Sequence, residues 1–193
     1  MSFAVTVLYG SYRRDRQGIR AVRFIEAQLR ARGHTVTLLD AMALDLPLLD
    51  RMYKEHPKGS APPVLDKMAE TIRAADGFVV VTGEYNQGIP PGLKNMLDHF
   101  LEEWFWRPSA IVSYSQGSFA GVRAAILLRI TLAELGTPAI SSTLPVPQVQ
   151  KAFDEQGKPA DPEAWARRSR KFLHEFEWHM AALKAQREKG VPY

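Results

Sequence analysis

Two segments carry the side chains that could do chemistry. Gly83-Glu84-Tyr85-Asn86-Gln87-Gly88-Ile89-Pro90-Pro91-Gly92 sets one aromatic ring beside amides and a carboxylate. A ring can stack on a flat ligand, and the Asn86 amide can both donate and accept at a polar edge. Gly10-Ser11-Tyr12-Arg13-Arg14-Asp15-Arg16-Gln17-Gly18 supplies a hydroxyl and three guanidiniums just ahead of a helix. Free N–H groups and the dipole at a helix start attract an anion, and Arg13 or Arg16 can hold a phosphate through two parallel hydrogen bonds. The segment has neither the G-x-G-x-x-G of dinucleotide folds nor the G-K-[ST] ending of a P-loop, so it suits a monophosphate better than ligands held in those ways. A plainer alternative stands beside this one: Ser11 caps the helix and the arginines are solvated.

Each segment follows an apolar strand-like run. Phe3 to Tyr9 precedes the first, and Gly77 to Thr82 precedes the second. Gln17 to Arg32 has Val22, Ile25 and Leu29 at helical spacing and stops at Gly33. Thr35 to Leu39 is a second strand. Met42 to Pro63 contains four prolines and reads as a long loop, from which Tyr53 could reach a neighbouring subunit. Val64 to Ala75 is a helix, Leu93 to Trp104 another, and Ser109 to Tyr114 a strand. Phe119 to Leu135 is a helix ended by Gly136, and Pro138 to Ser142 a short last strand. After a polar turn, Lys151 to Asp161, a long helix from Pro162 to Lys189 carries Trp165, Phe172, Phe176, Met180 and Leu183 on one stripe. Alternating strands and helices predict an α/β fold with a parallel sheet covered on both faces. The expected architecture is a flavodoxin-like three-layer sandwich, five-stranded, in order 2-1-3-4-5, forming one domain over residues 1–193. Its switch point, between the first and third strands, brings the two chemical segments side by side.

The composition, 46% hydrophobic and 24% charged, is ordinary for a soluble domain of 193 residues. Without cysteine there is no disulfide, no thiolate metal site and no cysteine nucleophile. No run approaches the roughly 18 apolar residues of a membrane span, and the start lacks a signal-like stretch, so a cytoplasmic protein with no membrane partner is expected. The net charge is +4, with much of the excess on the last helix as a solvated face, too sparse for nucleic acid. The five histidines have no ligand spacing and read as surface or capping residues; no metal is expected. Tyr114-Ser115-Gln116-Gly117 is not the G-x-S-x-G of a serine hydrolase. Asp98 and Glu102 at i, i+4 read as a solvated or interface face, and Phe100, Trp104, Phe105 and Trp106 as core plus subunit interface.

Taken together, Gly10-Ser11-Tyr12-Arg13 and Glu84-Tyr85-Asn86-x-Gly88-x-Pro90-x-x-Leu93-Lys94-Asn95-x-Leu97-Asp98 resemble the NAD(P)H-dependent FMN reductase family, which includes bacterial quinone, chromate and azo-dye reductases. Ser115-Gln116-Gly117-Ser118-Phe119-Ala120-Gly121 matches a third loop of that family, and Phe153-Asp154-x-x-Gly157 a late turn. The resemblance implies that Ser11, Arg13, Arg16, Gln17 and Gly18 hold the FMN phosphate. Glu84, Tyr85, Asn86 and Gln87 would pack against the isoalloxazine and bond its edge, and Ser115 and Gly117 would close the other side. Two departures matter. Arg16, Gln17 and Gly18 stand where relatives often carry small hydroxyl residues, and Gly83 stands where many have proline, which implies a more flexible loop entry.

The implied activity is hydride transfer from NADPH or NADH to flavin N5 and then, in a ping-pong cycle, to a small-molecule acceptor: a quinone, free flavin, azo compound or metal oxyanion. The flavin carries the chemistry, so no catalytic side chain is named. A homodimer or homotetramer is implied, with the flavin near the subunit interface. The alternative is a flavodoxin-type FMN electron carrier that does not oxidise nicotinamide; carriers of that type tend to be acidic, whereas this chain is basic. A non-flavin phosphate-binding protein of the same fold is a third reading.

Overall fold

The computed structural model describes residues Met1–Tyr193. Five strands, β1 (Ala4–Tyr9), β2 (Thr35–Asp40), β3 (Gly77–Thr82), β4 (Ser109–Tyr114) and β5 (Ala139–Val146), form one sheet in the order β2-β1-β3-β4-β5. Every neighbouring pair is parallel. The helices are α1 (Ile19–Ala31), α2 (Ala41–Leu44), α3 (Pro63–Ala74), α4 (Pro91–Asp98), α5 (Val122–Glu134), α6 (Val149–Ala152) and α7 (Pro162–Arg187).

Side chains alternate across the strands, which divides the core in two. Val79, Val81, Val7 and Val112 face one side, under Val22, Ile25 and Leu29 of α1 and Trp165, Phe172, Leu173, Phe176 and Met180 of α7. Phe78, Val80, Leu8 and Ile111 face the other, under Leu65, Met68 and Ile72 of α3, Leu93 and Leu97 of α4, and Leu128 and Leu132 of α5. β3 is buried at all six positions, as its near-continuous apolar run requires of a central parallel strand.

The expected order and layers stand, with local differences. The helix expected from Leu93 to Trp104 breaks after Asp98 into an irregular step and a 3₁₀ turn, Glu102–Trp104. The Leu97 carbonyl accepts the Trp104 indole N–H (3.1 Å) and the Phe100 N–H (3.3 Å), while the Leu101 N–H goes to Glu103 (3.3 Å). Burying both Phe100 and Trp104 takes precedence over continuing the helix. Asp98 instead pairs with Lys94, and Glu102 with Lys54 at 3.7 Å. The Met42–Pro63 stretch is not all loop: it contains most of α2 and a 3₁₀ turn, Tyr53–Glu55. Tyr53 is half-buried and held within its own chain: its hydroxyl donates to Asp66 (3.0 Å) and its ring packs on Phe100. Two histidines are buried rather than superficial: His34, bonded to Glu177 at 3.0 Å, and His99, bonded to the Asn95 carbonyl at 2.7 Å. No helix is long and apolar enough to cross a membrane.

Candidate functional site

Three loops meet at the C-terminal edge of the sheet, after β1, β3 and β4. A cavity of about 220 Å³ lies between them, lined by Ser11, Arg13, Arg16, Gln17, Glu84, Tyr85 and Ser115 of the expected set, and by Asp15, Gly83, Tyr114 and Gln116. The strand order puts it at the β1/β3 switch point, where open α/β sheets bind ligands.

The first loop supplies donors. The backbone N–H groups of residues 14–18 have no acceptor within the chain; the helical bonds begin with Ile19 N–H to Arg16 O (3.3 Å). Several unpaired N–H groups at the start of a 13-residue helix make an anion site. Ser11 does not cap that helix: its Oγ shares a hydrogen bond with the Tyr85 hydroxyl (3.1 Å) and receives the Arg13 N–H at 3.5 Å. The two arginines differ. Arg16 is tied to Asp40 at the end of β2, at 2.5 Å, and lies over the Tyr9 ring. The Asp40 bond holds the Arg16 guanidinium above its ordinary pKa. Arg13 is exposed and its guanidinium has no partner. The Gln17 Oε1 is buried and receives no donor.

The second loop is a tight turn. Tyr85 and Gly88 exchange backbone bonds of 3.0 and 2.9 Å, with Asn86 (φ 49°) and Gln87 (φ 69°) left-handed at its tip. Two positive φ angles define a type I′ turn, which normally takes Asn-Gly; Gln87 sits in it at a steric cost. The Asn86 and Gln87 side chains are exposed and do not line the cavity, but their N–H groups are unpaired. Glu84 is turned toward the third loop: it accepts from the Arg123 guanidinium (2.6 Å) and from the Arg123 N–H at the start of α5 (3.2 Å). Gly83 is not a flexible entry. A Cβ there would lie 2.9 Å from the Tyr114 ring, and one on Gly18 would lie 2.1 Å from it, so both glycines make room for Tyr114.

The third loop, after β4, is lined up by Ser115, whose hydroxyl donates to the Gly117 carbonyl (2.9 Å). Gly117 itself stays outside the cavity. The N–H groups of residues 116–119 have no acceptor within the chain. Below the three loops lie two phenols, Tyr9 and Tyr114, with hydroxyls 3.5 Å apart. Burial raises both above the ordinary tyrosine pKa, so they stay neutral and able to donate. Sequence reasoning missed them because each ends an apolar strand and reads as core. The signal available was position: the last residue of a parallel strand at a switch point faces the ligand crevice.

The arrangement suits a molecule with an anionic group at the first loop and a flat, polar-edged body reaching the second and third. A family model described as NADPH-dependent FMN reductase matches residues 3–151. The chain is 29% identical over 183 residues to a quinone reductase from Pseudomonas putida, covering 90% of each. It is 35% identical over 108 residues to an NAD(P)H-dependent FMN reductase from Pseudomonas aeruginosa, covering 53% of this chain and 58% of that one. Among solved structures, the flavoenzyme NAD(P)H:(acceptor) oxidoreductase of Paracoccus denitrificans superposes with a TM-score of 0.75 at 22% identity, over 92% of this chain and 97% of that one. A flavodoxin from P. aeruginosa superposes at 0.54 and 22%, over 95% and 99%. These two likenesses concern the fold alone.

Proposed function

As the chain belongs to the NADPH-dependent FMN reductase family, we propose that it binds FMN in the three-loop cavity and uses it to oxidise NADPH or NADH at the expense of a small-molecule acceptor. The observation that carries this reading is the meeting of the loops after β1, β3 and β4 around one cavity, each loop carrying unpaired backbone N–H groups, at residues 14–18, 86–87 and 116–119. The donor set fits the cofactor. The N–H groups of residues 14–18 and the free Arg13 guanidinium suit a phosphate dianion. The orphaned Gln17 Oε1 suits a ribityl hydroxyl, since an acceptor oxygen cannot hold a phosphate oxygen. Tyr85 suits a flat ring, and the unpaired N–H groups at Asn86, Gln87 and Gln116 suit its polar edge.

FMN held there would supply the two-electron chemistry that links nicotinamide oxidation to acceptor reduction, in a ping-pong cycle. The chain's own part is to bind and orient. Arg13 neutralises the phosphate; Arg16, spent on Asp40, fixes the loop that presents the N–H groups. Glu84 and Arg123 lock the second loop to the third, so that their donors keep a fixed spacing. Tyr114, wedged between Gly18 and Gly83, sets the separation of the first two loops. No side chain is required as acid, base or nucleophile. Residues 1–193 act as a single domain, in the cytoplasm, on quinones, free flavins, azo compounds or metal oxyanions, without nucleic acid or membrane partners. A homodimer or homotetramer is supported by α5, whose Val122, Ile126, Leu127 and Ile130, with Phe119 just before, are exposed apolar residues.

The test is a visible spectrum of purified protein with added FMN, followed by anaerobic NADPH or NADH. A bound-flavin spectrum that bleaches is the expected result. A spectrum that persists with both nucleotides would replace the reductase by an electron carrier, and no flavin binding would reject both.

A further inference from the structure

A second cavity, of about 420 Å³, adjoins the first behind a wall made by Arg13 and Tyr85, which line both. Tyr12, Leu46, Leu48 and Pro91 give it a mostly apolar lining, and no acidic side chain lines it. The wall separates an occupant from the cofactor cavity, so a molecule seated here takes no part in hydride transfer. Cavities of this size with two aromatic rings and few polar groups suit small organic ligands.

The polar groups of this cavity are unequal. The Asn95 amide is engaged at both ends: its Nδ2 donates to the Pro47 carbonyl (2.8 Å) and its Oδ1 accepts the Leu49 N–H (2.9 Å). The Tyr85 hydroxyl is bonded to Ser11 (3.1 Å). Residues 14–18, with their unpaired N–H groups, do not line it. The one charged side chain in the lining is Arg13, whose guanidinium has no partner. A guanidinium presents two parallel N–H groups that match the two oxygens of a carboxylate. A phosphate dianion calls for further donors, and residues 14–18 offer those in the other cavity instead. The Asn95 bonds bracket Leu48 and hold it at the rim, where it is 84% exposed, and Tyr12 is also partly uncovered. Both gain burial when a flat apolar body enters.

We propose that this cavity is a ligand site for a planar aromatic carboxylate, its ring against Tyr12 and Leu48 and its carboxylate on Arg13, and that filling it lowers the affinity for FMN. The second half rests on the FMN oxidoreductase reading above, because it needs Arg13 to serve the cofactor phosphate. One guanidinium then faces two anions in adjoining cavities, and each ligand weakens the other by the same factor. No bond is made or broken. The carboxylate acts on cofactor occupancy and is not a substrate.

The probe is 2-naphthoate, and its amide, of nearly the same shape without the charge, is the control. Calorimetric titration of the full chain, freed of flavin, should show naphthoate binding about tenfold tighter than the amide, and Arg13→Ala should remove that difference. Leu48 is exposed enough to change without loss of fold. Leu48→Glu should weaken naphthoate about tenfold and leave the FMN dissociation constant within about twofold. Rising naphthoate should raise the wild-type FMN dissociation constant about tenfold and then level off, as two coupled sites require. Absent naphthoate binding, equal affinity for the amide, or unchanged affinity in Leu48→Glu would overturn the cavity as this ligand's site, whether or not FMN binds. An FMN dissociation constant that climbs with naphthoate without limit would overturn it too, by giving both ligands one site. One that does not move would overturn the coupling through Arg13. A wild-type chain that binds naphthoate as expected but binds no FMN would overturn the oxidoreductase reading and the coupling, while supporting the carboxylate site itself.

Discussion

At the scale of single residues, type and spacing in the sequence pointed to an anion loop, but not to how the work divides within it. Arg13 and Arg16 look equivalent as text. In the fold, Arg16 is taken by Asp40, 24 positions away at the end of β2, and Arg13 is left free. No local pattern could show this, because the pairing depends on β2 lying beside β1. The two therefore fail differently. Arg13→Ala should weaken FMN binding by about 1.5–3 kcal/mol with the melting temperature unchanged. Arg16→Ala leaves Asp40, buried and also accepting the Met42 N–H, without its cation, and should cost about 3 kcal/mol of folding stability. Flavin titration and chemical denaturation of both variants separate the roles; equal effects on FMN affinity would contradict the division. Tyr114 is a further contrast. Tyr114→Phe keeps the ring between Gly18 and Gly83, so it should fold normally and lose only the hydroxyl at the cavity floor, weakening FMN by about 0.5–1.5 kcal/mol. An unchanged dissociation constant would make that hydroxyl purely structural.

At the scale of elements, strands were more legible than helix ends. β1, β3 and β4 stand where apolar and β-branched runs put them. β5 extends to Val146, beyond the expected Ser142, because Pro145 reads as a breaker although an edge strand tolerates it: one side of the strand needs no N–H. α5 begins at Val122 rather than Phe119, since Ala120 and Gly121 take left-handed backbone that a helix excludes. The long last helix was visible from its stripe, although Leu183 is only partly buried and Leu173 joins the core. What holds α7 to the sheet edge was not visible. Glu175 accepts from the Ser142 N–H (3.1 Å) and from the Ser142 hydroxyl. Burial alone would raise this carboxyl, but the bonds from Ser142 outweigh it and hold its pKa below the usual carboxylate range. A depressed carboxylate pKa contributes stability that is complete above the unfolded value, about 4.3, and is lost as pH falls through the native value. Ser142→Ala should accordingly cost about 1–2 kcal/mol at pH 7 and much less near pH 2. Denaturation at the two pH values checks it, and a cost independent of pH would point to packing instead.

At the scale of the whole molecule, topology was the most legible property, because alternating strands and helices with right-handed crossovers leave few arrangements. The site followed from topology, since the 2-1-3-4-5 order brings the loops after β1 and β3 together. Surface association was the least legible, because a helix pattern shows which residues are apolar but not which face the core covers. α5 is the case in point. Ala125, Leu128 and Leu132 enter the core, yet Val122, Ile126, Leu127 and Ile130 remain outside. A helix apolar on both sides belongs between two layers, and here only one is present. A second copy of the chain is the occupant consistent with the proposed dimer or tetramer, and α5 starts at Arg123's bond to Glu84, so pairing would steady the second loop as well. Ile126 is 63% exposed, so Ile126→Glu leaves the core intact. In a symmetric dimer each copy would lose about 1.5–3 kcal/mol of burial, raising the dissociation constant on the order of a hundredfold or more. Light scattering after gel filtration should show wild-type oligomer and variant monomer. A wild-type monomer would leave the apolar face of α5 without this occupant, and an oligomer untouched by Ile126→Glu would place the interface on another face.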